Sequence, residues 1–329
     1  MIRTLTATLL AAACTLAAAP ALADDFPSKP IHLVVPLAPG GGGDLAARVV
    51  ADRMGRALNQ TVVVENRPGA SSIIGTGQVA RAHADGYTLL FNTDFHAINE
   101  AANQLGLLPN KLPYDSQKDF DPVGQVLSLQ IILLSAEKTG ITNMQQLTEK
   151  ARAAKGGMSA GMLGIGSPHQ LAFLLMQQMG DFELLTVPFG GSGPATTAVQ
   201  GGQVDLAFAA VGAGMAMAES GRVNAIAVSG AKRDALAPNV PTIAESGFPG
   251  FAIESWMGIV APHGVPKQRL QKLNAALAQT LQDPEVIDKI RKAGMTPANP
   301  DREAYRKLIE RDTARNLDIL RKSGLKPKQ

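Results

Sequence analysis

The stretch "VPLAPGGGGDLAAR", residues 34–47, decides how the rest of the chain is read. It closes the apolar, β-branched run "IHLVVPLA" (31–38), which has the character of a buried strand ended by proline and glycine. It then passes through Gly40, Gly41, Gly42 and Gly43 to Asp44, where a helix is expected to begin and run to about Asn59. Leu45, Val49, Val50, Met54, Ala57 and Leu58 would form the apolar face of that helix. A phosphate loop needs Gly-Lys-Ser/Thr, but Asp44 follows Gly43; a dinucleotide fingerprint needs glycine where Leu45 stands. What remains is bare backbone. Glycine permits unusual dihedrals and close approach, leaving amide N–H groups beside a helix N-terminus as a seat for a carboxylate. Asp44 is the expected N-cap, taking one or two of those amides itself.

Outward from this junction, "TVVVEN" (61–66) and "YTLLFNT" (87–93) read as strands, with a helix over 72–82 between them. Strands alternating with helices imply parallel pairing with crossovers, hence a layered α/β lobe with its sites at the carboxyl ends of the strands. The alternation resumes past residue 125, with strands expected at 126–136, 158–162, 184–189, 204–209 and 224–230. Helices are expected at 143–154, 168–179 and 194–200, with a short one before 224. The Pro/Gly-rich segment 238–251 reads as a linker and 255–262 as a returning strand. Amphipathic helices 267–281, continued to Ala293, and 301–322 close the chain. One long strand leaving and another returning predict two crossings between lobes. Residues 24–127 and 251–329 would form lobe 1, with the terminal helices packed on it, and 128–250 lobe 2.

The N-terminus carries a separate signal. Arg3, the alanine-rich apolar run Leu5–Ala19 and the small-x-small motif Ala21-Leu22-Ala23 predict a cleaved export peptide, residues 1–23. The only cysteine, Cys14, falls within it, so the mature chain needs no disulfide. No later apolar run reaches membrane-spanning length. A net charge of +3 and 4% aromatic residues argue against nucleic-acid binding.

Two further junctions repeat the glycine chemistry. "GIGSPHQLA" (164–172) places Ser167 as N-cap, Pro168 at the first helical position and His169 just inside. "PFGGSGPA" (188–195) offers Gly190, Gly191 and Ser192 after a strand, with a helix expected from Pro194. Thr93 and Asp94 in "NTDFHAIN" (92–99) would add to the cleft edge. A helix end favours an anion by about 0.3–2 kcal/mol, whereas micromolar binding needs about 8 kcal/mol. One loop is therefore insufficient, and donors from both lobes must close on one ligand. The histidines show no metal-ligand spacing, a mature chain without cysteine excludes cysteine catalysis, and "GGSGP" misses the last glycine of a nucleophile elbow. Binding without chemistry, metal or cofactor is expected.

Six segments carry a family likeness: "KPIHLVVPLAPGGGGDLAAR" (29–48), "VVVENRPGASSIIG" (62–75), "DGYTLL" (85–90), "LPYDSQKDFDPVG" (112–124), "GGQVDLAF" (201–208) and "PNVPTIAESGFPGF" (238–251). From about Phe26 onward the chain resembles the solute receptors of tripartite tricarboxylate transporters, the Bug-type receptors. The resemblance implies a two-lobed α/β, type II periplasmic-binding-protein fold that closes like a flytrap. It also implies a monomeric periplasmic receptor for a small organic carboxylate, which it hands to a permease of one large and one small subunit. The family's ligand loops fall on Leu37 to Asp44, Thr93 and Asp94, Gly166 to His169, Phe189 to Pro194, and Ala209. Departures from the family pattern are Leu37 for phenylalanine, Gly43 for threonine, Phe189-Gly190-Gly191 for Tyr-Lys-Gly, and Ala209-Ala210 for Asp-Asn. One positive and one negative group are thereby replaced, which predicts a preference for a monocarboxylate or aromatic acid. The rival readings are a receptor that docks on a membrane sensor kinase and a secreted α/β hydrolase using Ser192. Trp256, the single tryptophan, reads either as a core or lobe-interface aromatic, the favoured reading, or as a ligand contact on the hinge side.

Overall fold

The computed structural model describes residues 25–163 and 166–326; the expected export peptide lies outside them. In chain order the elements are β1 (Ile31–Val35), α1 (Gly42–Leu58), β2 (Val62–Asn66), α2 (Ile73–Ala80), β3 (Thr88–Thr93), α3 (Phe95–Gln104) and β4 (Phe120–Leu129). Then follow β5 (Ile131–Ala136), α4 (Met144–Ala154), β6 (Ser159–Leu163), α5 (Pro168–Gly180), β7 (Leu185–Phe189), α6 (Ser192–Gln200), β8 (Leu206–Ala210), α7 (Val211–Glu219) and β9 (Val223–Val228). The chain ends with β10 (Ser255–Pro262), α8 (Lys267–Gln282), α9 (Pro284–Lys292), β11 (Thr296–Pro297) and α10 (Arg302–Lys322).

Two sheets organise these elements. The first runs β11-β4-β10-β3-β1-β2 and the second β7-β6-β8-β5-β9. β1 pairs parallel with β2 and β3, and β6 parallel with β7 and β8, as strands joined through crossover helices do. β10 returns antiparallel between β3 and β4, and β5 lies antiparallel between β8 and β9. The chain is thus a two-lobed α/β fold with two crossings. Ile31, Leu33 and Val35 bury one face of β1 against Ala47, Val50 and Met54 of α1. In the second lobe, Leu133 and Phe208 pack on Leu171, Phe173 and Met176 of α5.

The expected single strand 126–136 is two strands. β4 ends at Leu129 against Ser255, and β5 begins at Ile131 against Ala210, so the sheets change at Gln130. The expected boundary at 127/128 falls inside β4. The return crossing sits beside the first. Ile253 still belongs to the second core while Ser255 pairs in the first sheet. The Gln130 side chain accepts from Gly230 N–H at 3.0 Å and donates to the Lys232 carbonyl at 3.0 Å. A Cβ on Gly230 would lie 2.3 Å from that side-chain amide, so the two segments are held at glycine distance.

Two helices bridge the lobes. Ala97 of α3 packs in the first lobe with Trp256, while Ile98, Ala101 and Ala102 join the second core. Tyr305 and Ile309 of α10 pack with Trp256, while Ile319 and Leu320 pack in the second lobe. The expectation that all C-terminal helices pack on the first lobe therefore holds for α8, which packs with α1, but not for the far end of α10. Trp256 is 1% exposed and donates its indole N–H to Asp312 Oδ2 at 2.9 Å. Its ring meets Tyr305 edge-on. It is a core anchor between β10 and α10.

Candidate functional site

Six strands deliver their carboxyl ends to the cleft-forming loops. In the first lobe Val35 and Asn66 are register partners at the ends of β1 and β2, and β3 ends at Thr93. In the second, Leu163 and Phe189 are register partners at the ends of β6 and β7. β8 ends beside them at Ala210. The two sets meet: a Cβ on Gly166 would stand 3.3 Å from Ile98 of α3, the helix that follows Thr93.

The glycine loop starts α1 earlier than expected. The helix begins at Gly42 with Gly41 as N-cap, and no side chain caps it. Asp44 is not the cap. It lies inside the first turn and is almost fully buried. Its carboxylate accepts from Gly40 N–H (2.9 Å), Arg48 Nε (3.0 Å) and Asn66 Nδ2 (2.8 Å). Burial alone would raise its pKa, but these hydrogen bonds and the Arg48 charge outweigh it and hold the carboxyl below the ordinary aspartate value. Asp44 therefore fixes the loop from behind. The amides of Gly42, Gly43 and Asp44 face forward without a partner among the described residues.

The glycines differ in what demands them. Gly40 has φ +86°, where a side chain is strained. A Cβ on Gly43 would lie 2.6 Å from Leu37 and 2.9 Å from Met257. Gly41 has ordinary extended dihedrals, and its nearest would-be neighbour is 3.9 Å away. Gly190 and Gly193 have nothing within 4 Å and no left-handed φ. Nothing in the fold itself requires glycine at Gly41, Gly190 or Gly193.

α6 begins at Ser192, not Pro194, with Gly191 as N-cap in extended backbone and again no side-chain cap. Gly190 and Pro194 are exposed and Gly191 and Ser192 half-buried. Phe189 contributes backbone here; its ring folds onto Gly161, 3.2 Å from a Cβ there, and into the cluster containing Val204.

The Ser167 junction is built differently. Ser167 Oγ accepts from Gln170 N–H at 3.2 Å, and Gln170 Oε1 accepts from Gly166 N–H at 2.6 Å. This is a reciprocal capping pair, and Pro168 has no N–H to offer. The expectation of an open amide is corrected for Gly166, whose N–H is taken by Gln170; the Ser167 and His169 amides have no partner among the described residues. What this junction presents is His169. Both ring nitrogens are buried without a partner among the described residues, and the ring meets Phe208 edge-on. Burial pushes its pKa down to about 4, so the imidazole is neutral at pH 7.

Thr93 and Asp94 lie together at the end of β3. Thr93 is 2% exposed, and its Oγ1 has no partner among the described residues. Burial pushes the Asp94 carboxyl up to about 6; the Ser255 hydroxyl works against that and the Asp312 charge adds to it. Ala209 is also corrected. It is fully buried with Ile132 and Val211, and Ala210 is the exposed residue at the end of β8. Sequence reading missed the uncapped start of α7 at Val211, a fourth strand-to-helix junction. It also missed the left-handed run Ala70, Ser71 and Ser72 before α2, with φ of 47°, 51° and 75°. The serine-rich turn "GASS" was the visible cue to that run.

One cavity of about 610 Å³ lies behind α1 against β2, between Arg48, Arg56, Gln60 and Val62, away from these loops. A second, about 310 Å³, lies behind the crossings beside Trp256, Glu254 and Arg315. Neither is lined by the glycine-loop residues that carry the unpartnered amides. Among the described residues no helix is long and apolar enough to cross a membrane, and no cluster of His, Cys, Asp and Glu could hold a metal.

Comparison with known proteins agrees with this geometry. The profile of the tripartite tricarboxylate transporter family receptor matches residues 46–325. Protein BugT of Bordetella pertussis is 32% identical, with 94% of each chain covered. A protein in the tcbD-tcbE intergenic region of Pseudomonas sp. is 34% identical over 89% of this chain and 85% of its own. Among solved structures, R. palustris Rpa4515 with adipate superposes with TM-score 0.76 at 30% identity, covering 92% of this chain and all of its own. MatC from Rhodopseudomonas palustris with bound malate gives TM-score 0.72 at 30% identity, covering 90% of this chain and all of its own.

Proposed function

Because the chain belongs to the tripartite tricarboxylate transporter family of receptors, we propose that it is an exported periplasmic receptor. It captures a small organic carboxylate between its lobes as a single copy and delivers it to the large and small permease subunits of a tripartite transporter. One observation carries the reading: two helix starts, α1 and α6, are uncapped and preceded by exposed glycines that the fold itself does not need. Exposed glycine costs about 0.5–1 kcal/mol in chain entropy, and the close approach of a ligand to backbone amides explains why it is kept. The Gly42–Asp44 amides take carboxylate oxygens from one side, and the Ser192 and Gly193 amides with the Ser192 hydroxyl close from the other. Thr93 Oγ1 and a neutral His169 nitrogen complete the donors.

The reading is of binding without chemistry. Ser192 has no hydrogen bond to a histidine among the described residues, and His169 has no acid to orient it. A base needs both. The bound adipate and malate of the two relatives show carboxylates held on this architecture and support the substrate class. A thermal-shift screen of carboxylic acids tests the proposal. A true ligand at a hundred times its Kd stabilises the protein by about 2.7 kcal/mol, and a panel of mono-, di- and tricarboxylates that leaves the melting temperature unmoved overturns it.

A further inference from the structure

Among the described residues, the second-lobe strand-to-helix junctions after β6, β7 and β8 offer no lysine or arginine side chain, and their one histidine is buried among apolar neighbours. In the first lobe, Arg48 is paired with Asp44 and Asn66, and Arg67 with Glu65. The glycine amides stand beside apolar side chains: Leu37 and Met257 both crowd Gly43, and Met295 lies 3.4 Å from a Cβ on Gly42. At the carboxyl end of β7, Gly190 and Gly193 have open space around them, with nothing within 4 Å of a Cβ at either.

A ligand with one carboxylate can be satisfied by amides and hydroxyls alone. A second carboxylate entering the same closing cleft would lose its water to a surface of glycine, alanine and thioether, while the nearby arginines Arg48 and Arg67 are already paired with Asp44 and Glu65. We infer that the cleft selects a monocarboxylate with an apolar body over a dicarboxylate, and that Gly190, bare and unobstructed at the second-lobe wall, is the position that sets this preference. This rests on the carboxylate-receptor reading and names the ligand class within it. It also separates this chain from its relatives with adipate and malate, both dicarboxylates.

The test uses hexanoate and adipate, which share a carbon chain and differ in one terminal carboxylate, with phenylacetate as an aromatic acid. Titration calorimetry on the mature protein is expected to show hexanoate or phenylacetate binding at least roughly tenfold tighter than adipate, about 1.4 kcal/mol. Gly190→Lys meets no steric obstacle, so its melting temperature without ligand is expected to match the wild type. The introduced ammonium is expected to move the hexanoate-to-adipate ratio at least roughly tenfold toward adipate. Adipate binding as tightly as hexanoate to the wild type overturns the inference while leaving the receptor reading intact. A ratio unmoved by Gly190→Lys removes Gly190 as the determinant. If no acid of a wider carboxylate panel binds at all, the receptor reading and this inference fall together.

Discussion

The starts of α1 and α5 look alike in sequence and are opposite in structure. Each follows a parallel strand, passes through glycine and opens a helix at the carboxyl edge of its sheet. At α5 side chains take two of the backbone donors, Ser167 Oγ that of Gln170 in the first turn and Gln170 Oε1 that of Gly166 just before the cap, and Pro168 removes a third. At α1 the one side chain able to cap, Asp44, is turned back into Gly40, Arg48 and Asn66, and the first-turn amides stay open. A glycine-rich helix start is thus not by itself an anion seat. What decides is where the nearest acid or hydroxyl spends its hydrogen bonds.

The largest effect is expected at the acid that holds the open loop in place. Asp44→Ala removes one of the two acceptors of the Asn66 amide, which keeps the Leu37 carbonyl, and frees Gly40, while half-exposed Arg48 is rehydrated and adds little. A loss of about 2–3 kcal/mol is expected by urea denaturation, together with loss of carboxylate affinity as the loop relaxes. Because the folded pKa of Asp44 is lowered, its contribution is present above the ordinary aspartate value and is lost as pH falls below it. A variant as stable as wild type at pH 7 would mean that the carboxylate does not organise the loop.

Asp94, at the start of α3, is the reverse case. Its folded pKa is raised to about 6, so its contribution is full below pH 4 and is lost as pH rises through 6. Wild type should therefore lose stability between pH 4 and pH 7, and Asp94→Asn should flatten that slope. The variant is expected to be more stable than wild type at pH 7 by about 2 kcal/mol and nearly equal at pH 4. Parallel pH profiles for the two proteins would show that Asp94 is not the titrating group.

Next comes a substitution that makes α1 resemble α5. Gly42 is the first helical residue of α1, as Pro168 is of α5, and proline is tolerated there. A side chain at Gly42 meets only Met295 at ordinary contact distance. Gly42→Pro should leave the melting temperature unchanged and remove one amide that donates to the carboxylate, lowering carboxylate affinity roughly tenfold. Unchanged affinity by calorimetry would move the ligand away from this helix start.

How much of this was legible in the chain follows from the range of each interaction. The alternation of strands and helices was readable because apolar periodicity is local, and the start of α5 at Pro168 was marked by serine and proline. The reciprocal Ser167–Gln170 pair was also visible as Ser-x-x-Gln, a signature left unread when Ser167 was taken as a simple cap. The break at Gln130 was hidden, because "VLSLQIILLSA" is continuous in β propensity and what divides it is pairing with Ser255 and Ala210, far along the chain. Ala209 and Ala210 differ only in which face of β8 they occupy, and a one-residue error inverts that. The Trp256 partner, Asp312, lies on a helix more than fifty residues away. Element types were local and readable; which acid faces a ligand and which faces its own loop was tertiary and was not.

The smallest expected effect tests the other half of the comparison. Ser167→Ala deletes the cap of α5, leaving the Gln170 amide without its acceptor, and should cost about 1 kcal/mol of stability. Carboxylate affinity, however, should stay within about twofold, since the amides lost from the cap were never directed at a ligand. The effect on binding thus separates the two helix starts more sharply than the effect on stability, because both substitutions act at a first turn but only one acts on an open donor. If Ser167→Ala weakened binding as much as Gly42→Pro, the capping pair would have to open when ligand enters, and α5 would join α1 as a seat for the carboxylate. His169, the second residue of the same helix, with both ring nitrogens unpartnered among the described residues, would then be the side chain repositioned by that opening.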